Sequence, residues 1–301
     1  MTISIAMATY NGAKWIHEQV ESIMTQTVQD FELVICDDCS TDTTWEILNT
    51  FKKKDSRIHI YRNTLNLGFK KNFEKVISLC KGDLIALSDQ DDIWYPDHLE
   101  ILKNAMASDT QIVCARPLFV NELNQELPCK YDYFRMSDPP QTSLDIARHI
   151  LLSTNSYQGA SMLIRKAFFE IALPVPDGAF YHDSWFAVLA CFTGGIVYVD
   201  KPIMRYRRLV YSVTYNSMRV CAFRRFVGIT LNKHSAFDRL HLIEAIKDRV
   251  KQLSPAQLNL LTISERILKR RKSIWGRIAN VPYLIRYFQS IYACDIWHIF
   301  S

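Results

Sequence analysis

The sequence has no long hydrophobic run. Its longest stretch without an acidic or basic residue extends from Ser184 to Val199, only 16 residues, and contains Gly194 and Gly195. A transmembrane helix needs about 20 consecutive apolar residues, so no membrane span is predicted. The first residues also lack the basic segment and the apolar stretch of a signal peptide, and we therefore expect a cytoplasmic protein.

The sequence also lacks a second cysteine pair. Among its 8 cysteines, Cys36 and Cys39 have the spacing of a redox or zinc motif, and no other pair accompanies them. A structural zinc site needs four ligands, and nothing in the sequence indicates export to an oxidising compartment. We expect reduced thiols that pack as small hydrophobic side chains.

Charge is unevenly distributed along the 301 residues. The net charge is +5, but residues 1–203 carry 18 Lys and Arg against 26 Asp and Glu, whereas residues 204–301 carry 18 against 5. The basic part suits nucleic acid, an acidic partner, an anionic membrane or simply a solvated helical face. It shows no signature of a nucleic-acid-binding module, so nucleic-acid binding is not expected.

The first hundred residues alternate short β-rich runs with segments of helical period, which predicts parallel strands joined by crossover helices. Thr43 and Glu46 fit a capping box for the second helix. Helices are predicted near Leu144–Leu152 and from about Tyr181 to Cys191, a loop over 121–141, and helices only beyond Tyr211. The predicted strands are Ile3–Met7, Phe31–Cys36, Ile58–Tyr61, Leu84–Leu87, Ile112–Val120, Ser161–Ile164 and Ile196–Val199.

Polar and acidic side chains follow the first four strands. The first strand leads into Ala8 to Gly12, the second into Asp37 and Asp38, the third into Asn63 to Gly68, and the fourth into Asp89 to Asp92. In an open parallel sheet, ligands bind outside the carboxyl ends of the strands. These four segments are therefore the candidate site.

The acidic run is a poor anion site unless a cation is present. Carboxylates clustered within five residues suit Mg²⁺ or Mn²⁺, which prefer oxygen ligands and keep positions open for substrate phosphates. The alternative is a solvated acidic turn before the helix that starts near Pro96. Trp94 beside the acids and the second acidic pair, Asp37 and Asp38, favour the metal site.

These segments, in their order and spacing, resemble those of the family 2 inverting glycosyltransferases, which have the GT-A fold. The resemblance covers the N-terminal third of the chain, with weaker matches to about residue 210. The matching segments are Met7-Ala8-Thr9-Tyr10-Asn11-Gly12, Gln26-Thr27, Cys36-Asp37-Asp38-Cys39-Ser40-Thr41-Asp42, Asn66-Leu67-Gly68, Gly82-Asp83 and Asp89-Gln90-Asp91-Asp92-Ile93-Trp94-Tyr95-Pro96.

The resemblance implies a fold and a domain plan. The fold would be α/β of the GT-A type, with a mixed, mainly parallel sheet flanked by helices and a C-terminal helical appendage. Residues 1–210 would form the catalytic domain, with 1–98 as the nucleotide-sugar-binding half and 99–210 as the acceptor half. Residues 211–301 would form a basic helical region.

The resemblance also implies a donor site. Thr9, Tyr10 and Asn11 would line the nucleotide pocket, with Tyr10 near the base, and Asp38 would accept a hydrogen bond from a pyrimidine N–H. Asp89 and Asp91 look like the family's DxD pair, with Asp91 the metal ligand and Asp92 close to it. The other residues that the resemblance assigns to the donor site are Asn66, Gly68, Gln158, Gly159 and Arg207.

His182-Asp183-Ser184-Trp185 resembles the family motif that carries the catalytic base. Inversion needs a base on the face of the anomeric carbon opposite the leaving group, and Asp183 would take that role while the metal stabilises the departing diphosphate. A carboxylate in the first turn of a helix is also stabilised by the helix dipole alone. Both interpretations of Asp183 stay open.

One position departs from the family pattern. Many relatives place a His after the Tyr-Arg that follows the last strand, and here Leu209 stands at that position. Arg207 or Arg208 would then supply positive charge to the diphosphate, since a guanidinium binds phosphate in bidentate fashion. His182 is a third possibility, and the details of metal coordination depend on which residue acts.

The basic segment 264–288 mixes Arg and Lys with Trp275 and aliphatic residues, which suits a helix in an anionic membrane interface. A helical appendage packed on the catalytic domain, or a dimer contact, explains the same pattern. Peripheral contact with the inner face of the plasma membrane would suit a glycan acceptor that is linked to lipid.

The resemblance implies a metal-dependent, inverting hexosyltransferase that uses Mg²⁺ or Mn²⁺ and builds bacterial surface polysaccharide such as O-antigen or capsule. The acidic segment looks most like rhamnosyltransferases, so dTDP-rhamnose is the first expected donor and a UDP-hexose the second. Two other hypotheses are kept. A nucleotidyltransferase would open with a Gly-rich loop bearing a basic residue, where this chain has Thr9 to Gly12; a catalytically silent nucleotide-sugar-binding protein is compatible with the missing His.

Overall fold

One mixed, mainly parallel sheet of eight strands organises the structure. The computed structural model describes residues 1–127, 142–152, 155, 157–179, 181–209 and 233–270, with the backbone alone for 233–237. The strands lie in the order β3-β2-β1-β4-β7-β6-β8-β5. Their bounds are β1 Ile3–Thr9, β2 Phe31–Asp37, β3 Ile58–Arg62, β4 Leu84–Ser88, β5 Ile93–Trp94, β6 Ile112–Val120, β7 Met162–Arg165 and β8 Ile196–Arg207.

The strands β3, β2, β1 and β4 are parallel, and β7 pairs antiparallel with β4 and with β6. Ile5, Leu33 and Ala86 on the three central strands are completely buried. Such continuous apolar strands are typical of parallel sheets, because helices cover both faces. The predicted sheet is confirmed, and the ends of β1, β2 and β4 meet at one edge.

Helices in the described part of the chain follow the predicted apolar spacing. In α1, for example, Ile16, Val20 and Ile23 are fully buried on one face. The helices are α1 Ile16–Met24, α2 Thr44–Lys54, α3 Phe69–Leu79, α4 His98–Asn104, α5 Ser143–Leu152, α6 Phe169–Ala172, α7 His182–Ala190, α8 Lys233–Arg249 and α9 Pro255–Arg270.

The predicted capping box at the start of α2 is wrong. The Thr43 side chain makes no capping hydrogen bond. Instead Asp42 Oδ1 accepts the Thr44 amide at 3.0 Å, and Asp42 Oδ2 accepts the Ala13 amide at 3.1 Å. The carboxylate one residue earlier therefore caps the helix and also ties it to the loop after β1. Burial raises the pKa of Asp42, but hydrogen bonds from the Thr44 hydroxyl and from the Thr44 and Ala13 amides outweigh it, and the pKa is lowered.

Strand β8 is longer than the predicted strand Ile196–Val199, since it continues to Arg207. Its register against β6 shifts on either side of Arg116, a bulge that hydrophobic pattern does not reveal. The short strand β5, which the sequence reading missed, pairs antiparallel with β8 through Ile93 and Trp94. The long β8 thus runs back to the acidic segment.

Contacts divide the chain into two units. The first comprises residues 1–127, 157–175 and 196–208 and holds the whole sheet; the second comprises 128–156, 176–195 and 209–301. In the second unit the described elements are helical, with α9 against α5 and α8. The fully buried Trp185 of α7 lies under the Arg249 guanidinium of α8 at 5.0 Å.

The predicted C-terminal helices are confirmed over α8 and α9. Residues 271–288 of the predicted membrane-contacting segment, residues 128–141 of the predicted loop, and Tyr211 lie outside the described residues. No helix in the described part of the chain is both long and apolar enough to cross a membrane. The predicted boundary at residue 210 stays a prediction.

His98 is a buried histidine whose charge state we expect to affect stability. Its ring stacks on Trp94 at 3.7 Å and its Nδ1 lies 3.2 Å from the Ile203 carbonyl oxygen. Burial lowers the pKa of His98 to about 3. The folded protein therefore keeps His98 neutral, whereas the unfolded chain protonates it below about pH 6.5.

We therefore expect the contribution of His98 to be complete above pH 6.5 and to be lost progressively as the pH falls toward 3. At pH 5 the loss is about 2 kcal/mol of unfolding free energy. Denaturation of His98→Gln and the wild type between pH 7 and pH 5 tests this, with His59→Gln, at a half-buried position, as the matched control. Equal loss of unfolding free energy by the wild type and by His98→Gln between pH 7 and pH 5 would contradict this expectation.

Candidate functional site

The carboxyl ends of β2, β1 and β4 bring three of the predicted segments together in the first unit. The loops after β1 and β2 are joined directly, because the Asp38 amide donates to the Thr9 carbonyl oxygen at 2.8 Å. The Thr9 hydroxyl also donates to Asp37 Oδ1 at 3.2 Å. The parallel register thus places Thr9 beside the acidic pair of the next strand.

Gln90 joins the acidic run to the loop after β1. Its Oε1 accepts the Tyr10 amide at 2.9 Å, and its Nε2 donates to the Tyr10 carbonyl oxygen at 3.0 Å. The amide tip lies so close to Gly12 that a Cβ there would meet Gln90 Oε1 at 2.2 Å. This reciprocal pair fixes the position of Tyr10, whose side chain is 45% exposed.

Asn11 adopts a left-handed backbone conformation, with φ of 48°. Asparagine tolerates this region better than most residues. Its Oδ1 accepts the Thr41 amide at 2.8 Å, and its own amide donates to Ser40 Oγ at 2.9 Å. The side chain of Asn11 therefore orders the loop after β2, in addition to any role in donor binding.

Asp38 is 2% exposed and accepts hydrogen bonds from three groups of the chain. Its Oδ1 accepts Asn63 Nδ2 at 2.7 Å and the Leu67 amide at 2.8 Å, and its Oδ2 accepts the Gly68 amide at 2.9 Å. Asn66 closes the same loop by donating to the Asp38 carbonyl oxygen at 3.3 Å. The structure thus brings Asp38, Asn66 and Gly68 together, as predicted for one site.

These contacts assign Asp38 a structural task that the sequence did not indicate. The carboxylate holds the segment from Asn63 to Gly68, and Gly68 has φ of 80°, a left-handed conformation that favours glycine. The predicted hydrogen bond between Asp38 and a nucleobase stays a prediction.

The acidic run after β4 holds a cluster of carboxylates, of which Asp92 is buried and Asp89 and Asp91 are half-buried. Asp92 is 1% exposed, and its Oδ1 accepts the Arg207 amide at 3.0 Å. Its Oδ2 is buried and has no hydrogen-bond partner. Burial, together with the charges of Asp91 and Asp89, raises the pKa of Asp92 well above its ordinary value. Burial raises the pKa of Asp91 to about 6, against the opposing charge of Arg207.

This donor set fits a divalent cation that a diphosphate completes. Over the residues the structure describes, no three His, Cys, Asp or Glu side chains are arranged to hold a metal without other ligands. Mg²⁺ is commonly held by one or two carboxylates and by substrate phosphates. The unpartnered oxygen of Asp92 and the desolvated carboxyl of Asp91 are suitable ligands of this kind.

Arg207 lies against the acidic run with its side chain 2% exposed. Its Nη1 donates to the Asp91 carbonyl oxygen at 3.0 Å, and its Nη2 pairs with Glu18 Oε2 at 2.7 Å. The guanidinium also covers the Trp15 ring at 4.2 Å. The structure therefore brings Arg207 to the predicted metal ligands, and its predicted contact with a diphosphate stays a prediction.

Arg208 faces a different environment. Its guanidinium lies over the rings of Phe119 at 4.8 Å and Tyr206 at 5.3 Å, and its amide donates to the Val120 carbonyl oxygen at 2.8 Å. Of the two arginines considered as substitutes for the His replaced by Leu209, Arg207 donates from its guanidinium to the Asp91 carbonyl oxygen of the acidic run.

Gln158 and Gly159 lie in the first unit, where Gly159 begins a short 3₁₀ turn before β7. Gln158 Oε1 is buried without a hydrogen-bond partner. Asp183 lies in the second unit, in the first turn of α7 directly after the buried His182. Its place there is compatible with stabilisation by the helix dipole, and its role as base stays a prediction.

Gln90, Glu18 and Trp15 are the functional candidates that the sequence reading missed. Gln90 lies inside the acidic motif, so its position alone could have drawn attention to it. Glu18 and Trp15 belong to an ordinary amphipathic helix and the turn before it, and no local pattern links them to Arg207, which lies 189 residues from Glu18.

Comparison with known proteins supports one family. The model of the family described as Glycosyl transferase family 2 matches residues 4–186. The chain is 28% identical over 256 residues to the dTDP-rhamnosyl transferase RfbG of Shigella flexneri, covering 80% of this chain and 85% of that protein.

A second relative is the UDP-Glc:alpha-D-GlcNAc-diphosphoundecaprenol beta-1,3-glucosyltransferase WfaP of Escherichia coli. It is 42% identical over 92 residues, which cover 31% of this chain and 36% of WfaP, so the match spans about a third of that protein. Among solved structures, the fold is similar to that of the mannosyltransferase PcManGT from Pyrobaculum calidifontis, solved with GDP-Man and Mn²⁺. It has a TM-score of 0.61 at 16% identity, covering 95% of this chain and 74% of that chain, and shows the fold alone.

The network around Asp38 generates a prediction. Asp38→Asn replaces one acceptor oxygen by an NH₂ group that must face the N–H donors of Asn63, Leu67 or Gly68. We expect a loss of about 1–3 kcal/mol in unfolding free energy, because a buried donor then lacks its acceptor. Urea denaturation measures the loss, and Asp30→Asn, an exposed position, is the control. Equal stability of the two variants would contradict the structural task of Asp38.

Proposed function

Because the chain belongs to glycosyl transferase family 2, we propose that it moves one sugar from a nucleoside diphosphate donor to a glycan acceptor, with inversion and with a divalent metal. The observation that carries the proposal is the carboxylate cluster at the end of β4, in which the buried Asp92 has an unpartnered Oδ2. Gln90, in the same acidic run, links this cluster to the loop after β1 through two hydrogen bonds to the Tyr10 backbone.

The donor would lie across the carboxyl ends of β1, β2 and β4. Thr9, Tyr10 and Asn11 would bind the nucleoside, and the exposed ring of Tyr10 offers a stacking surface for a base. The loop that Asp38 holds, with Asn66 and Gly68, would close the other side. This placement follows the general rule for ligands of open α/β sheets.

Asp91, with Asp89 and Asp92, would hold Mg²⁺ or Mn²⁺. A bound divalent ion supplies Lewis-acid stabilisation of negative charge on the leaving diphosphate. Asp91 and Asp92 carry pKa values raised by burial, so the ionised pair favours a cation. Arg207 adds a fixed positive charge at the same edge, which suits an anionic phosphate.

The acceptor would be activated by Asp183, and Gln158 and Gly159 would shape the sugar and acceptor side of the site. In an inverting transfer, the acceptor hydroxyl gives its proton to the base as its oxygen attacks the anomeric carbon. The bond to the diphosphate breaks on the opposite face. These roles rest on the motif resemblance of the residues concerned.

The relatives suggest a donor and an acceptor class. The name of RfbG specifies dTDP-rhamnose chemistry and the name of WfaP a UDP-glucose donor with a lipid-linked diphosphate acceptor. For this chain we place dTDP-rhamnose first, a UDP-hexose second, and a lipid-linked glycan of surface polysaccharide synthesis as acceptor. A cytoplasmic location with peripheral membrane contact through 264–288 would suit that acceptor.

A transfer assay tests the proposal. Radiolabelled dTDP-rhamnose and UDP-glucose are supplied separately with Mn²⁺ and an undecaprenyl-diphosphate-linked GlcNAc acceptor, and label in the lipid fraction is measured. Proton NMR of the product gives the anomeric configuration. We expect label transfer from one donor, with the configuration inverted.

Asp183→Asn is the variant for the same assay. We expect kcat to fall by about 10²–10⁴-fold, the usual contribution of a general base, with little change in the KM for the donor. Asp177→Asn changes an exposed carboxylate of the same unit and is the matched control. Wild-type kcat in a folded Asp183→Asn variant would remove Asp183 from the mechanism and leave the transfer itself standing.

A further inference from the structure

Glu18 on helix α1 is linked to the site through its ion pair with Arg207. We propose that Glu18 is a positioning residue that holds the Arg207 guanidinium away from the metal-binding carboxylates and so sets the affinity of the site for its divalent cation. The inference rests on the proposed function, since it concerns the cation of the donor site. No sequence motif singles out Glu18.

The two partners differ in their exposure. The side chain of Arg207 is 2% exposed, whereas that of Glu18 is 51% exposed, and their Nη2 and Oε2 atoms lie 2.7 Å apart. Glu18 thus reaches from the surface of α1 to a buried cation. A buried guanidinium needs a permanent counter-charge, because water cannot solvate it.

Arg207 in turn shapes the acidic run through two contacts. Its amide donates to Asp92 Oδ1 at 3.0 Å, and its Nη1 donates to the Asp91 carbonyl oxygen at 3.0 Å. Neither contact uses a carboxylate oxygen of Asp91, nor Oδ2 of Asp92, which has no hydrogen-bond partner. The guanidinium therefore fixes the peptide of the acidic run and leaves carboxylate oxygens for a cation.

The Trp15 ring adds a second restraint. It lies 4.2 Å from the Arg207 guanidinium, within the range of a cation–π contact. Glu18 and Trp15 thus restrain the guanidinium, and the Asp91 carbonyl oxygen accepts a hydrogen bond from its Nη1. Its Nε is buried without a hydrogen-bond partner, so a turned guanidinium has a free donor to offer to a new acceptor.

Without Glu18, a turned Arg207 guanidinium would pair with the carboxylates of Asp91 and Asp92, on which its charge already acts. Arg207 would then compete with the divalent ion for the same oxygens. Changes to outer partners of metal ligands commonly cost about 10–100-fold in metal affinity. Because Glu18 acts through one intervening residue, we expect a smaller effect of about 3–10-fold.

The test compares Glu18→Ala, Glu18→Gln and Glu21→Ala. Glu21 lies on the same helix, its side chain is 60% exposed, and its carboxylate pairs with the exposed His17, so it is the matched control. Mn²⁺ is titrated calorimetrically into each protein in the presence of whichever of UDP, dTDP and GDP the wild type binds. Transfer activity is measured against Mn²⁺ concentration, and thermal midpoints are recorded.

For Glu18→Ala we expect the Mn²⁺ dissociation constant and the Mn²⁺ concentration for half-maximal activity to rise by about 3–10-fold, with kcat at saturating Mn²⁺ within about twofold of wild type. Glu18→Gln retains an acceptor oxygen for Arg207 and should fall between Glu18→Ala and wild type. Glu21→Ala should match wild type. Thermal midpoints should agree within about 2–4 °C, because the turned Arg207 regains a carboxylate partner.

Two results would overturn the inference. In the first, Glu18→Ala binds Mn²⁺ with the same affinity as Glu21→Ala. Glu18 then has no positioning role, and the proposed transferase function is unaffected. In the second, Glu18→Ala loses kcat and thermal stability together without a change in Mn²⁺ affinity, which indicates a general structural role. If the wild type itself binds no nucleotide with Mn²⁺, the proposed function fails as well, so the two failures are distinguishable.

Discussion

Burial of the carboxylates at the end of β4, with repulsion from Asp91 and Asp89 acting on Asp92, is the constraint on which the rest of the site depends. Asp91 and Asp92 are both desolvated, and the charges of Asp89 and Asp91 act on Asp92. Such a cluster is costly in the absence of positive charge. The guanidinium of Arg207 supplies positive charge here, since it contacts the backbone of the acidic run and leaves carboxylate oxygens available. A divalent ion and a diphosphate would supply the remaining charge balance.

Distant parts of the chain serve this constraint. The extension of β8 beyond its predicted end carries Arg207 to the acidic run, and the short β5 pairs with β8 immediately after that run. Gln90 couples the carboxylates to the loop after β1, so movement of the acidic run would displace Tyr10. Binding of a cation and of a nucleoside is therefore expected to be coupled, because both ligands act on one hydrogen-bonded unit.

Sequence predicted the features that depend on local pattern. The buried strands β1, β2 and β4 are visible as apolar runs, and the residues after them identify the site because parallel strands end at one edge. The features that escaped prediction are long-range. Asp38 binds amides 29 and 30 residues away, and Arg207 meets Glu18 across 189 residues. The predicted cap of α2 was wrong for a local reason. Asp42 and Thr43 are both good capping residues, and the carboxylate of Asp42, the stronger acceptor, caps the helix.

The account's central claim is that the carboxylate cluster and the loop after β1 form one nucleotide and metal site. Isothermal titration of UDP, dTDP and GDP into the wild-type protein, with Mn²⁺ and then with EDTA, tests it most directly. The account predicts that one pyrimidine nucleotide binds with Mn²⁺ and that its affinity falls sharply when EDTA removes the metal. Absence of binding by all three nucleotides in the presence of Mn²⁺ would contradict it.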